Sequence, residues 1–102
     1  SSESPVFTSN SIQVSLHNNI GNIEIIGPIE DDFCNASALN VLFLDGVSAT
    51  DNNVSAQSIF VLEWGCQNTL EKGDKIHSDI GFVYKTNAGL THTHVGSIQA
   101  KI

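Results

Sequence analysis

The sequence predicts an all-β domain built from two antiparallel sheets packed face to face, and three observations predict it. Apolar and polar residues alternate with a period of two over several short stretches, as on half-buried strands. Turn signals such as Gly27-Pro28, Asp45-Gly46 and Asn87-Ala88-Gly89 recur about every ten residues or so. No long stretch carries a compelling helical period. Together these features indicate about seven short strands arranged as an antiparallel immunoglobulin-like β-sandwich.

The strands follow in order. Ile12, Val14 and Leu16 alternate with Gln13, Ser15 and His17, the pattern of a strand with one buried face. Asn18-Asn19-Ile20-Gly21 reads as a turn, and Ile23, Ile25 and Ile26 form a second run that stops at Gly27-Pro28, where proline lacks the N–H that a ladder needs. An N-terminal hairpin is the expected result. Leu39 to Leu44 and Ser58 to Trp64 are nearly continuous apolar runs of strand length, bounded by Asp45-Gly46 and Gly65, and both read as central strands. Asn35 to Leu44 also admits a helix capped by Asn35, because β-branched and aromatic residues are few there.

Leu70 to Asp74 turns the chain into a strand from Lys75 to Lys85. Ile76, Ser78, Ile80, Phe82 and Tyr84 share its one face, and Lys75, His77, Asp79 and Lys85 the other, so it reads as an outer strand with one wet side. After Asn87-Ala88-Gly89 a last strand closes the chain. Along it Ile98, Ala100 and Ile102 share a face with His92 and His94. The histidines therefore sit at an open end of the sandwich, or Gly96 bulges and turns them outward.

The 102 residues make one domain, 1–102, with 40% hydrophobic residues to supply a core. Eleven acidic against four basic residues leave a net charge of −7, which favours solubility and disfavours nucleic acid and anionic lipid as partners. No run reaches the ~20 apolar residues of a membrane span. The polar start Ser1-Ser2-Glu3-Ser4-Pro5 and the lack of methionine suggest that an upstream leader or membrane helix has been removed. Cys34 and Cys66 suit one disulfide, and Asn35-Ala36-Ser37 and Asn53-Val54-Ser55 are glycosylation sequons at Asn35 and Asn53. All three features read as extracellular.

Chemistry is sparse. His92-Thr93-His94 places two imidazoles on one face of a strand, and His77 on the neighbouring strand is a third candidate metal ligand. The set is weak without a carboxylate or thiolate at diagnostic spacing, and neither a metal nor another cofactor is expected. Glu30-Asp31-Asp32 offers oxygens to a hard cation such as calcium but lacks the EF-hand pattern. There is no nucleophile elbow, phosphate-binding glycine loop or His-Glu-X-X-His, so no enzyme is expected. Strict alternation along the central strands turns Phe60, Leu62 and Trp64 inward with Leu39, Val41 and Phe43. Leu42, Leu44, Ile59 and Val61 then face outward, extended by Val83, and an apolar outer patch of this kind marks a partner or dimer interface.

Val14-Ser15-Leu16-His17-Asn18-Asn19-Ile20-Gly21-Asn22, Gly73-Asp74-Lys75-Ile76 and Thr91-His92-Thr93-His94-Val95-Gly96-Ser97-Ile98 resemble the outer β-sandwich domains of archaeal flagellin-like (archaellin-like) proteins, above all the archaellum accessory proteins FlaF and FlaG. The resemblance covers most of the chain in outline. It implies a domain between the cytoplasmic membrane and the S-layer, on the extracellular side of the membrane, held there by an N-terminal helix. It further implies a FlaF-like stator role: binding S-layer protein and other archaellum components as a homodimer or a heteromer with a homologue, to anchor the motility filament. Two alternatives accompany it, the outer domain of a pilin or archaellin filament subunit and an extracellular metal-binding domain.

Overall fold

The computed structural model describes residues 5–31 and 33–102; the start of the chain before Pro5, and Asp32 of the acidic cluster, lie outside the described residues. The described residues form nine strands and no helix: β1 (Val6–Phe7), β2 (Ser11–His17), β3 (Ile23–Pro28), β4 (Ala36–Leu44), β5 (Val47–Ser48), β6 (Asn53–Val54), β7 (Ile59–Cys66), β8 (Lys75–Thr86) and β9 (Thr91–Lys101). They build two antiparallel sheets, β1-β2-β7-β4-β5 and β6-β3-β8-β9, so the fold is an all-β sandwich. The excess over the expected seven comes from two-residue strands at the sheet edges. The alternative helix capped by Asn35 does not form; Ala36–Leu44 is strand β4.

The expected N-terminal hairpin is not there. β2 pairs with β7, and β3 pairs with β8 and β6 in the other sheet, so the turn after His17 crosses between layers. Asn18 makes the crossing possible. It is 3% exposed, and its amide donates to the carbonyls of Gly21 at 2.8 Å and Ser55 at 3.0 Å while its oxygen accepts the Ile20 N–H at 3.0 Å. Its own backbone bonds to Ser58 and Gln57. One buried side chain thus satisfies backbone groups that a hairpin ladder would otherwise have paired. β8 likewise lies inside its sheet, between β3 and β9, rather than at the outside.

The core is the inner face of both sheets. Ile12 and Val14 from β2, Leu39 and Val41 from β4, and Phe60, Leu62 and Trp64 from β7 meet Ile23, Ile25, Ile80, Phe82 and Ile98 of the second sheet. Phe60 and Phe82 touch edge to face across the layers, with ring centroids 6.5 Å apart, a favoured aromatic geometry. Trp64, 2% exposed, donates its indole N–H to the Gly81 carbonyl at 3.0 Å. That bond runs from one sheet to the other. Gly81 has no room for a side chain, because a Cβ there would strike the His94 carbonyl and press on Ile29.

Cys34 and Cys66 form the expected disulfide, with Cα atoms 4.8 Å apart. It ties the approach to β4 to the end of β7, two neighbours in the same sheet. Replacing both cysteines by alanine is expected to lower stability by roughly 3 to 4 kcal/mol for the 32-residue separation, read as a lower urea midpoint. Gly81→Ala should cost about 1–3 kcal/mol through the forced separation of β8 and β9, with a matching loss of amide protection along β9.

Candidate functional site

The outer face of the first sheet is the candidate interaction surface, and β7 runs through its middle. Ile59, Val61 and Glu63 alternate with the buried Phe60, Leu62 and Trp64, so these three point outward as alternation requires. Val61 stands between Ser15 of β2 and Phe43 of β4, and Ile59 stands opposite His17. Glu63 accepts a hydrogen bond from the Gln13 amide at 2.8 Å. Ile59 is 55% and Phe43 39% exposed. The result is a short apolar strip of Phe43, Val61 and Ile59 flanked by polar side chains.

This is not the patch that strict alternation predicts. The β4–β7 register shifts between Val41 and Phe43, a bulge that spends Leu42 as an extra residue and reverses the faces after it. Phe43 therefore faces outward, and Leu44 pairs with Phe60 and packs against the core. The cause is the turn beyond. Asp45 and Gly46 both take positive φ, 50° and 81°, as a two-residue hairpin turn demands. Asp45 then clasps Ile59: its N–H donates to the Ile59 carbonyl at 2.7 Å, and its carboxylate accepts the Ile59 N–H at 2.9 Å. Val83 belongs to β8 in the second sheet, where it pairs with Gly27 and Thr93. Of the five residues expected to form one surface, Ile59 and Val61 stay together, Leu42 lies in the bulge, Leu44 turns in and Val83 is on the opposite layer.

The three histidines do not converge. β9 keeps an unbroken register with β8 through Gly96, so no bulge turns His92 and His94 outward. They lie on the core-facing side at an open edge. His92 stacks on Tyr84 at 5.5 Å and His94 lies tilted against Phe82 at 5.3 Å, centroid to centroid. His77 pairs with Gln99 near the other end of the strands and on the opposite face, where its Nε2 lies 3.3 Å from the Gln99 amide. Among the described residues no group of three or more His, Cys, Asp or Glu is placed to hold a metal ion. His94 instead borders a cleft of about 380 Å³ between the layers, lined also by Leu16, His17, Phe82 and Tyr84.

Asp31 has a structural task. Its carboxylate accepts the N–H groups of Cys34 at 2.7 Å, Asn35 at 3.0 Å and Ala36 at 3.2 Å, fastening the loop beside the disulfide. Asn35 takes a positive φ of 51°, which asparagine tolerates better than most residues. Both sequon asparagines, Asn35 and Asn53, are exposed. Asn35 donates its amide to Gln67 at 2.9 Å. No helix among the described residues is long and apolar enough to cross a membrane.

No family model, curated protein or solved structure matches the chain. Asp31→Ala should destabilise the domain by about 1–3 kcal/mol by stranding three amides, measured by urea unfolding. Asp31→Asn, which keeps one acceptor oxygen, should recover part of that loss.

Proposed function

We propose that this chain is an extracytoplasmic, non-enzymatic binding domain that presents the outer face of its five-stranded sheet to a protein partner. In finer terms it is a FlaF-like anchor, holding S-layer protein on the outer side of the archaeal cytoplasmic membrane as part of the archaellum stator. The observation that carries the reading is the apolar strip of Phe43, Val61 and Ile59 on the outer face, where Val6 at the sheet edge is also exposed, the kind of surface that partners bury. A disulfide between Cys34 and Cys66 and two exposed sequon asparagines support an oxidising, extracytoplasmic setting.

The strand order supports the immunoglobulin-like description. β1-β2-β7-β4 facing β3-β8-β9 follows the neighbour relations of the A-B-E-D and C-F-G sheets. The hallmarks are redistributed: the buried tryptophan lies on β7, and the disulfide joins β7 to the start of β4 within one sheet. A rigid sandwich with an apolar strip on its five-stranded sheet is suited to bearing load through a surface.

The test uses the purified domain and purified S-layer protein, with binding followed by biolayer interferometry. Val61→Lys and Ile59→Lys should each weaken binding about tenfold or more, while Val83→Lys on the other layer leaves it unchanged. No binding by the wild-type domain, or equal binding by Val61→Lys, removes the anchor reading.

A further inference from the structure

A sandwich of two open sheets has four edges, and here they are unequally protected. Three end in strands of two residues, β1, β5 and β6. Behind β5 and β6, Asn52 closes both layers at once. Its side-chain oxygen accepts the Val41 N–H of β4 at 3.2 Å, and its backbone carbonyl accepts the Ile25 N–H of β3 at 2.8 Å. The fourth edge is β9 itself, eleven residues long. Native edges are normally blunted by shortness, proline, bulges or charge. β9 has no proline, and its pairing with β8 is unbroken from Thr91 to Lys101. No Asp, Glu, Lys or Arg lies between Lys85 and Lys101.

The direction of its free hydrogen-bonding groups follows from its neighbours. The Gly81 carbonyl is taken by the Ile29 N–H at 3.2 Å and by Trp64, so Gly81 turns toward β3 and away from its β9 partner Val95. At the two ends of the hairpin, Leu90 accepts from the Thr86 N–H at 2.9 Å and the Ile102 N–H donates to Asp74 at 2.9 Å. Backbone groups alternate along an antiparallel strand. The even-numbered residues of β9 therefore bond to β8, and Thr91, Thr93, Val95, Ser97 and Gln99 direct theirs outward, where all five residues are exposed.

We infer that this edge pairs antiparallel with β9 of a second copy of the chain, merging two four-stranded sheets into one across a two-fold axis near Val95 and Gly96. Charge selects the occupant. With a net charge of −7, copies repel over most of their surface, and the uncharged β9 edge is where two of them meet without like charges opposed. A strongly charged strand would gain no ion pairs along it. A strand of matching length that is free of Asp, Glu, Lys and Arg up to its last residue, Lys101, is β9 itself. Because Val95 and Gly96 lie at its middle, a two-fold axis there overlays nearly the whole edge on itself, setting threonines against Ser97 and Gln99 and forming about ten backbone hydrogen bonds. Such an interface uses neither the Phe43, Val61 and Ile59 strip nor the archaellum reading, and stands or falls apart from both.

The experiment is sedimentation of the intact domain up to about 1 mM, where weak association is populated, together with residue-resolved amide exchange. The expected species has twice the 10.9 kDa chain mass, and its formation slows exchange at Thr93, Val95 and Ser97 while leaving amides on the Asn52 side unchanged. Thr93→Pro removes only an outward N–H, a position where an edge strand accepts proline. It should keep the fold by circular dichroism and remain monomeric, and Val95→Lys should do the same. Val61→Lys should still dimerise. A wild-type chain that stays monomeric over the whole range overturns the inference. So does a folded Thr93→Pro that still dimerises, or a dimer whose Thr93 and Val95 amides exchange as in the monomer.

Discussion

The hydrogen bond from the Trp64 indole to the Gly81 carbonyl fixes how the two layers sit on each other. Trp64 is the largest of the fully buried side chains, and its single donor must find a partner inside the core or lose the free energy of desolvating it. The partner is backbone, so the demand falls on the path of β8 and not on a side chain that could rotate away. Gly81 in turn lets β9 approach until a Cβ would collide with the His94 carbonyl. One donor on β7 therefore sets the depth at which β8 and β9 pack, and with it the positions of Phe82, Tyr84 and the two imidazoles that rest on them.

Around this centre, short polar side chains complete the backbone pairing that strands leave unfinished. Asn18 and Asn52 each serve backbone groups from separate parts of the chain, and Asp31 gathers three successive amides leading into β4. Among the described residues no buried side-chain nitrogen or oxygen lacks a partner. The disulfide does something different. It links the approach to β4 with β7, neighbours already paired within one sheet, so it restrains the unfolded chain and leaves the hold between layers to apolar contact, the Trp64 bond and the bridge through Asn52.

The period-two patterns of β2, β7 and β8 made the sandwich legible in the sequence, and the two cysteines announced their bridge. What stayed hidden lay in crossings and parity. Asn18 looks like any turn asparagine, and nothing in Asn18-Asn19-Ile20-Gly21 distinguishes a hairpin from a passage between sheets; the difference lies in backbone groups contributed from far along the chain by Ser55, Gln57 and Ser58. Leu39 to Leu44 is apolar on both parities, so the sequence does not mark Leu42 as the extra residue or Phe43 as the one that turns out. Ile59 and Val61 were legible because β7 keeps strict alternation between its pairings. His77 could be separated from His92 and His94 only once the β8–β9 register placed it opposite Gln99.

The unequal edges give the sandwich the mechanics of a bound book. The spine is the Asn52 side, where one residue stitches both covers and β3 packs against β4. The fore-edge is the β2 and β9 side, where the cleft beside His94 separates the layers. Thermal opening should start at the fore-edge and swing about the spine, exposing Leu16 and Phe82 while the disulfide-bonded sheet moves as a single board.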